Sequence, residues 1–371
     1  MRIGINALYL IPGKVGGTEI YLKSLVNALI AIDPANEYFV YVNREGAAGA
    51  VLEPADRLHV VPCSIAAEFR PGRIVWEQFV FPFVLRRDRI DVLLNAGFTG
   101  PVFCGPPAVT VFHDLQHKRH PEFFRWYDLP FWNLLLWAAA VRSRALIAVS
   151  EATAKDLDRY YPETARKTIV IPHGVDPEFF RIGQNRCGLP TEAGRYILTV
   201  STLHPHKNID RLLTAFNEFR KTRPDYRLVI AGMKGFAAPE LEARADDLKV
   251  RDAVTFTGWI SRSELYKLFA GAEAYIAPSQ FEGFGMPLLE ALAAGLPTAC
   301  SRIEPFIGLA DSSVAMFDPF SADEIRSSME TITCDAVFRR RAAEAGPRQA
   351  RRFDWNHTAA ETLRALEKAA A

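Results

Sequence analysis

The chain has few cysteines, no long apolar run and almost no net charge, and each shortage excludes something. Its five cysteines (Cys63, Cys104, Cys187, Cys300, Cys334) are scattered, odd in number and never in a C-x-x-C pair. That argues against a disulfide framework and a zinc site, and favours a reducing compartment. No stretch approaches the roughly 20 apolar residues that span a bilayer. Phe131 to Val141 comes nearest, but it is only eleven residues long and contains Asn133, so it reads as a buried or interfacial helix. A formal charge of +1 gives no bulk reason to expect a nucleic-acid partner. Met1-Arg2 leads straight into Ile3-Gly4-Ile5 without an apolar leader, so a cytoplasmic location is expected, not export.

What is present is an ordinary folded composition, 49% hydrophobic and 23% charged. At 371 residues the chain exceeds the usual single core and predicts two domains. Short apolar strands alternate with helical stretches in both halves. In the first they are Arg2 to Ala7, Tyr38 to Val42, His59 to Val61, Asp91 to Asn95, Ala108 to Phe112 and Ala145 to Val149. The second half restarts at Arg195 to Ser201. That alternation predicts α/β architecture with parallel, doubly wound sheets, whose functional residues gather at the carboxyl ends of strands.

The most informative stretch is Ala274 to Pro297. An apolar run, Ala274-Tyr275-Ile276-Ala277, breaks at Pro278 and reads as a buried strand. A glycine-containing loop follows, then the helix formers from Leu288 to Ala294, closed by Gly295 and Pro297. Pro287 suits the first helical turn, where its missing N–H has no intrahelical partner. A strand, a glycine loop and a helix N-terminus together collect free N–H groups and a positive dipole end, a setting for phosphate. Gly283 and Gly285 let a ligand approach the backbone. Glu282 lies in the loop and Glu290 about one turn into the helix, so the two carboxylates face different parts of a ligand.

The string P-S-x-x-E-G-F-G-x-P-x-L-E-A-x-A-x-G-x-P from Pro278 to Pro297 resembles the signature of the retaining glycosyltransferases of family 4, which have the GT-B fold. The resemblance implies two Rossmann-like domains facing each other across a cleft, acceptor in the first and nucleotide-sugar donor in the second. The expected bounds are about 1–180 and 190–354, with a terminal helix from about 355 to 371 packing back on the first domain. It implies that Glu282 lies by the donor hexose and that the amides of Gly283, Phe284, Gly285 and Met286 face hexose and diphosphate. Glu290 would hold the ribose hydroxyls.

Other motifs fall into place beside it. Thr202-Leu203-His204-Pro205-His206-Lys207-Asn208 follows a strand, and there Lys207 can neutralise a diphosphate. Many family members have Arg where this chain has Thr202, which leaves the second diphosphate cation unassigned. Arg211 and Lys234 are the substitutes to consider. Val254 to Ile260, with Trp259, falls where relatives seat the nucleotide base, although Trp259 could equally be core. Gly16 and Gly17, between the first strand and a helix from Glu19 to Ile32, match the family's phosphate- or acceptor-facing loop. His113-Asp114 follows a strand end. His113 and His117 have i,i+4 spacing, but a strand exit ending before Pro121 does not suit a helical metal pair. The resemblance instead gives His113 a hexose hydroxyl, with Asp114 orienting it or the acceptor. Ser150 is the expected N-cap of the next helix, and Arg181 to Gly194 the linker.

The expected activity is transfer of a hexose from a nucleoside-diphosphate sugar to an acceptor hydroxyl, with retention, no cofactor and no essential metal. H-D-L-Q-H with P-E-F-F, T-L-x-P-x-K-N and A-G-x-K-G look most like bacterial mannosyltransferases of polysaccharide assembly, which points to GDP-mannose ahead of a UDP-hexose. A non-catalytic nucleotide-sugar binding protein and a GT-B epimerase remain alternatives. Finally, Arg70, Arg73, Arg86, Arg87 and Arg89 accompany an apolar, aromatic stretch from Phe69 to Leu85, against only Glu77 and Asp88. Such a pattern can lie on an anionic membrane, near a lipid-linked acceptor, or be a core helix with a basic edge.

Overall fold

The computed structural model describes residues 1–49, 52, 55–102, 105–185, 194–235 and 237–371. They form two compact units, Met1–Gly174 with Asp354–Ala371, and Val175–Phe353. Residues 175–180, grouped by sequence with the first domain, thus belong to the second.

The first unit is built on strands β1 Arg2–Ala7, β2 Glu37–Val42, β3 Leu58–Pro62, β4 Val92–Asn95, β5 Ala108–Phe112, β6 Ala145–Ala148 and β7 Thr168–Val170. They make a seven-stranded parallel sheet in the order β3-β2-β1-β4-β5-β6-β7. Most of its central strands are buried nearly end to end, the mark of a sheet with helices on both faces. The first helix runs Gly17–Ile32, two residues earlier than the sequence suggested, and Gly16 precedes it at φ 63°. Leu22, Leu25, Val26 and Leu29 form its buried stripe. The terminal helix Trp355–Ala370 packs on that helix and on β4 to β6. Its entry is tight: a Cβ on Gly174 would lie 2.3 Å from the Trp355 amide nitrogen. Ser150 caps the helix Glu151–Tyr160 by accepting from the Thr153 amide.

The helix Leu129–Arg142 contains the apolar run singled out above. Leu135, Leu136, Ala139 and Ala140 are buried, while Phe131, Leu134 and Trp137 are exposed. Among the described residues no helix is long and apolar enough to cross a membrane. The basic stretch is split between helices Arg70–Phe79 and Phe81–Arg87. Here one expectation needs correction: Arg73 and Glu77 are buried, so neither joins a surface charge pattern.

The second unit has β8 Arg195–Val200, β9 Tyr226–Ala231, β10 Val254–Gly258, β11 Ala274–Ala277, β12 Thr298–Ser301 and β13 Val314–Phe317. This parallel sheet runs β10-β9-β8-β11-β12-β13. Leu212, Leu213, Phe216 and Phe219 of the helix Ile209–Arg220 pack with Leu228, Ile230 and Ile276 from the sheet. Each such side chain, taken from water, stabilises the unit by about 1.5–3 kcal/mol. The expected linker is partly a helix, Pro177–Asn185; its residues 186–193 lie outside the described residues.

Candidate active site

In both sheets the strand order turns round once, between β1 and β4 and between β8 and β11. Chains leave adjacent strands in opposite directions there, which opens a crevice at the carboxyl ends. In the second unit the loops after β8 and β11 meet at that point. Lys207 Nζ lies 2.6 Å from Glu282 Oε1, and Ser279 Oγ donates to the same oxygen at 2.8 Å. Asn208 holds the two loops together. Its Nδ2 donates to the carbonyls of Pro278 (3.0 Å) and Pro319 (2.7 Å), while its Oδ1 accepts from Gln280 Nε2 at 3.0 Å. The backbone bond from Gln280 N to His206 O, 2.8 Å, adds a further staple.

Glu282 is followed by Gly283, Phe284 and Gly285, then by the helix Met286–Ala293 with Pro287 in its first turn. Gly285 is the N-cap at φ 105° and supplies no capping side chain, so the first amides of the helix receive none from it. A Cβ at Gly285 would come within 2.5 Å of the Phe306 ring, a second reason for glycine. Phe284 is buried, its ring 5.9 Å from that of Phe353. This is a cation, a carboxylate and a helix N-terminus gathered at one crevice.

Glu290 is only 5% exposed and pairs with Arg262, Nη1 to Oε1 2.8 Å. Burial raises its carboxyl above the ordinary range, and Arg262 opposes that shift. Arg262 also lies 3.3 Å from Asp176 Oδ2, which accepts a short hydrogen bond from Tyr266. Sequence reasoning missed this group, because Arg262 carries no motif of its own.

The remaining residues expected on the donor side are placed less centrally. Thr202 is half-buried in the loop after β8. Lys234 is 64% exposed at its side chain and pairs with Glu242 at 3.1 Å. Arg211 is taken up by Asn208 Oδ1 (2.9 Å) and the Pro319 carbonyl (3.3 Å). Trp259 is 61% exposed and so is not core; Gly258, at φ 70°, turns the chain just before it.

In the first unit His113 follows β5 and is buried. Its Nε2 lies 2.9 Å from the Ala96 carbonyl, which can only accept, so Nε2 carries the proton and Nδ1 is an acceptor. The ring is therefore a one-way partner for a hydroxyl, an acceptor only. Burial, against a smaller opposing effect of that hydrogen bond, pushes its pKa down to about 4 and keeps it neutral. Tyr21 meets it edge-on at 4.8 Å and His173 stacks at 5.6 Å. Asp114 Oδ1 accepts from the Gln116 amide at 2.9 Å. His117 turns to Tyr161, 3.1 Å from its hydroxyl.

A buried polar group that sequence reasoning missed lies at the β1/β4 turn-round. Asn6 and Asn95 are register partners, and Asn6 Nδ2 donates to Glu77 Oε1 at 2.7 Å. Thr99 Oγ1 lies 3.3 Å from Glu77, and Arg73 Nε is buried without a hydrogen-bond partner among the described residues. The D-x-D spacing Asp156-Leu157-Asp158 sits inside the helix Glu151–Tyr160, where residues two apart do not share a face. Among the described residues no cluster of three or more His, Cys, Asp or Glu is arranged to hold a metal ion.

Comparison with known proteins accords with this geometry. The model of Glycosyltransferase Family 4 matches residues 15–179, and that of Glycosyl transferases group 1 matches residues 188–349. The chain is 25% identical over 281 residues to the O-antigen chain mannosyltransferase B of Escherichia coli, covering 73% of this chain and 74% of that one. It is 28% identical over 304 residues to the MMP alpha-(1->4)-mannosyltransferase of Mycolicibacterium hassiacum, covering 77% and 72%. Among solved structures, Anabaena Alr3699/HepE in complex with UDP-glucose superposes with a TM-score of 0.77 at 19% identity, over 99% of this chain and 100% of that one. The two parallel-sheet units are those of the GT-B fold, and the chain belongs to the glycosyltransferases of family 4, with mannosyltransferases among its relatives.

Proposed function

We propose that this enzyme moves mannose from GDP-mannose to a hydroxyl of a glycan or lipid-linked saccharide, with retention at the anomeric carbon. The observation that carries the reading is the Lys207–Glu282 pair at the β8/β11 turn-round, just ahead of the N-terminus of Met286–Ala293. When the bond from the sugar carbon to the diphosphate breaks, the leaving oxygen takes the electron pair. Lys207 and the helix amides stabilise that developing charge. The acceptor oxygen bonds to the same face of the carbon, and its proton passes to the leaving diphosphate.

In this reading Glu282 attends the hexose, with the amides of Gly283, Phe284, Gly285 and Met286 facing hexose and diphosphate. Glu290 takes the ribose hydroxyls, and the backbone around Trp259 receives the base. His113 accepts from a sugar hydroxyl through Nδ1, oriented with Asp114, and Gly16-Gly17 faces phosphate or acceptor. Thr202 leaves the second diphosphate cation unassigned: Arg211 and Lys234 are both engaged elsewhere. No cofactor or essential metal is required by this chemistry.

Mannose is favoured by the two mannosyltransferase relatives. A UDP-hexose donor is the second reading, supported by the UDP-glucose bound to the structural neighbour. A thermal-shift series with GDP, UDP, ADP and their sugars, followed by turnover assays, separates them. GDP-mannose should give the largest shift and multiple turnovers with a mannoside acceptor. A larger shift and turnover with UDP-glucose would replace mannose. Tight binding without turnover would indicate a non-catalytic binding protein, and conversion of donor without acceptor an epimerase. The proposed place of work is cytoplasmic, peripheral at the inner face of the membrane.

A further inference from the structure

The donor-side carboxylate Glu290 does not stand alone. Its Oε1 is tied to Arg262, while Oε2 receives no hydrogen bond from any described residue. Arg262 is itself locked on several sides. Ser261 opens its helix with a capping box, the Ser261 amide donating to Glu264 Oε2 at 2.8 Å, which fixes the first turn and the position of Arg262. The guanidinium carbon lies 4.8 Å from the Phe179 ring centroid and 5.2 Å from that of Tyr266. Nη2 reaches Asp176, which Tyr266 also holds. The Asp176–Phe179 segment and Arg262's own helix thus hold one cation whose remaining end faces Glu290.

We propose that Arg262 is a positioning residue for the donor site: clamped by Asp176, Tyr266 and Phe179, it keeps the buried Glu290 ionised and turned so that Oε2 is presented to the nucleotide's ribose. This rests on Glu290 being the ribose-side carboxylate. An ionised carboxylate taken out of water needs a nearby opposite charge, or it protonates instead. The 2.8 Å contact with Arg262 favours the ionised carboxylate by charge first and by hydrogen bonding second, so its contribution is chiefly electrostatic. The other ionisable groups bearing on Glu290 are Asp176, which opposes its ionisation, and the buried Tyr275 phenol of β11, which itself feels Glu282 and Glu290.

The test uses the full chain and the probes GDP and UDP, with affinities taken as variant-to-wild-type ratios at each pH so that the nucleotide's own titration cancels. For Arg262→Met the affinity for the nucleotide that wild type binds should fall at least tenfold at pH 6 and recover substantially by pH 8.5. Arg262→Lys, which keeps the charge, should restore most of the pH 6 affinity. A loss equal at both pH values, or no rescue by Lys, would overturn the proposal.

A ligand-free measurement keeps it separate from the donor reading. Without Arg262 the Glu290 carboxyl rises further, so the folded form binds more protons than the unfolded. Stability should then decline between pH 5 and pH 8 more steeply than in wild type. Adding Glu290→Gln to Arg262→Met should abolish that extra decline. If it persists, Arg262 does not act on Glu290. If wild type binds neither nucleotide while this decline appears and vanishes as stated, the donor reading fails and the pairing stands.

Discussion

Lys207 and Glu282 are 75 positions apart in the chain, yet their charged atoms lie 2.6 Å apart at the crevice of the second sheet. Neither is brought there by its own helix or strand. Asn208 joins the loops: from the β8 side, with its backbone held at φ 58°, it donates to the carbonyls of Pro278 after β11 and Pro319 after β13. In the structure the cation's partner is Glu282; in the proposed reaction it meets the leaving diphosphate.

Lys207→Ala should therefore lower kcat/KM at least tenfold, since a charge-assisted contact is worth roughly 1.5–3 kcal/mol. The loss should fall on kcat more than on donor binding, because charge on the leaving diphosphate grows in the transition state. Steady-state kinetics with the donor identified by thermal shift would decide it. An unchanged kcat/KM would remove Lys207 from the chemistry.

The two glutamates should separate by ligand. Glu290→Gln is expected to weaken binding of free GDP or UDP, which already carries the ribose hydroxyls. Glu282→Gln should leave free nucleotide bound and impair turnover of the nucleotide sugar. Isothermal titration of both variants checks this, and equal weakening toward free nucleotide would show that the roles are not divided in this way.

Asn208 gives a stability prediction. Asn208→Ala takes the donor from the buried Pro278 carbonyl, leaves the Pro319 carbonyl only its longer Arg211 contact, and puts a side chain without compensating bonds into the left-handed region, at a cost of roughly 2–4 kcal/mol. Asn208→Gly removes the bonds but not the backbone freedom, and should cost less. Urea unfolding of the second unit's signal would show the difference. Equal costs would mean that the backbone conformation contributes nothing.

How much of this was legible in the sequence depends on how local the cause is. Strand–helix alternation predicts both sheets because buried parallel strands are short apolar runs whatever their neighbours. The glycine loop and Pro287 mark a helix N-terminus for equally local reasons. Arg262 was invisible, because an arginine becomes a counter-charge only when another segment delivers a buried carboxylate. Arg73 misled in the opposite sense: nearness in sequence put it in a basic stretch, while packing placed it inside with Glu77. His113 shows a third case, since the Ala96 carbonyl, 17 positions away, selects its tautomer.

The buried histidines predict acid sensitivity. Burial holds His113 and His117 down to about 4 each, so the folded form resists protonation that the unfolded chain accepts. Their contribution is fully present above the unfolded value near 6.5 and is lost as pH falls toward 4. At pH 5 each should already have cost about 2 kcal/mol. His113→Asn should flatten the fall in stability between pH 7 and pH 5 by about that amount, measured by denaturant unfolding at each pH. A slope identical to wild type would mean that His113 becomes protonated in the folded state.

The last prediction concerns where the enzyme works. With Arg73 buried and Arg87 paired to Asp88 at 2.8 Å, the basic edge of the Phe69–Arg89 region reduces to Arg70, Arg86 and Arg89, with Arg87 partly neutralised. The apolar side is larger than the sequence indicated. Phe69, Val75, Phe79 and Phe83 are exposed, and so are Phe131, Leu134 and Trp137 of the helix Leu129–Arg142. The two groups are neighbours, since Arg70 lies over the Trp132 ring at 5.1 Å. An aromatic patch with arginines at its edge suits an anionic bilayer, where each cation near the surface adds about 1 kcal/mol. We therefore expect salt-sensitive association with anionic liposomes. Replacing Arg86, Arg87 and Arg89 by Ser should release the protein at moderate salt. Replacing Phe79, Phe83 and Leu134 by Ser should weaken binding even at low salt, because apolar insertion is little screened. Co-sedimentation at low and high salt compares the three proteins. If wild type stays in the supernatant under all conditions, the patch does not dock on lipid and a soluble glycan becomes the better acceptor.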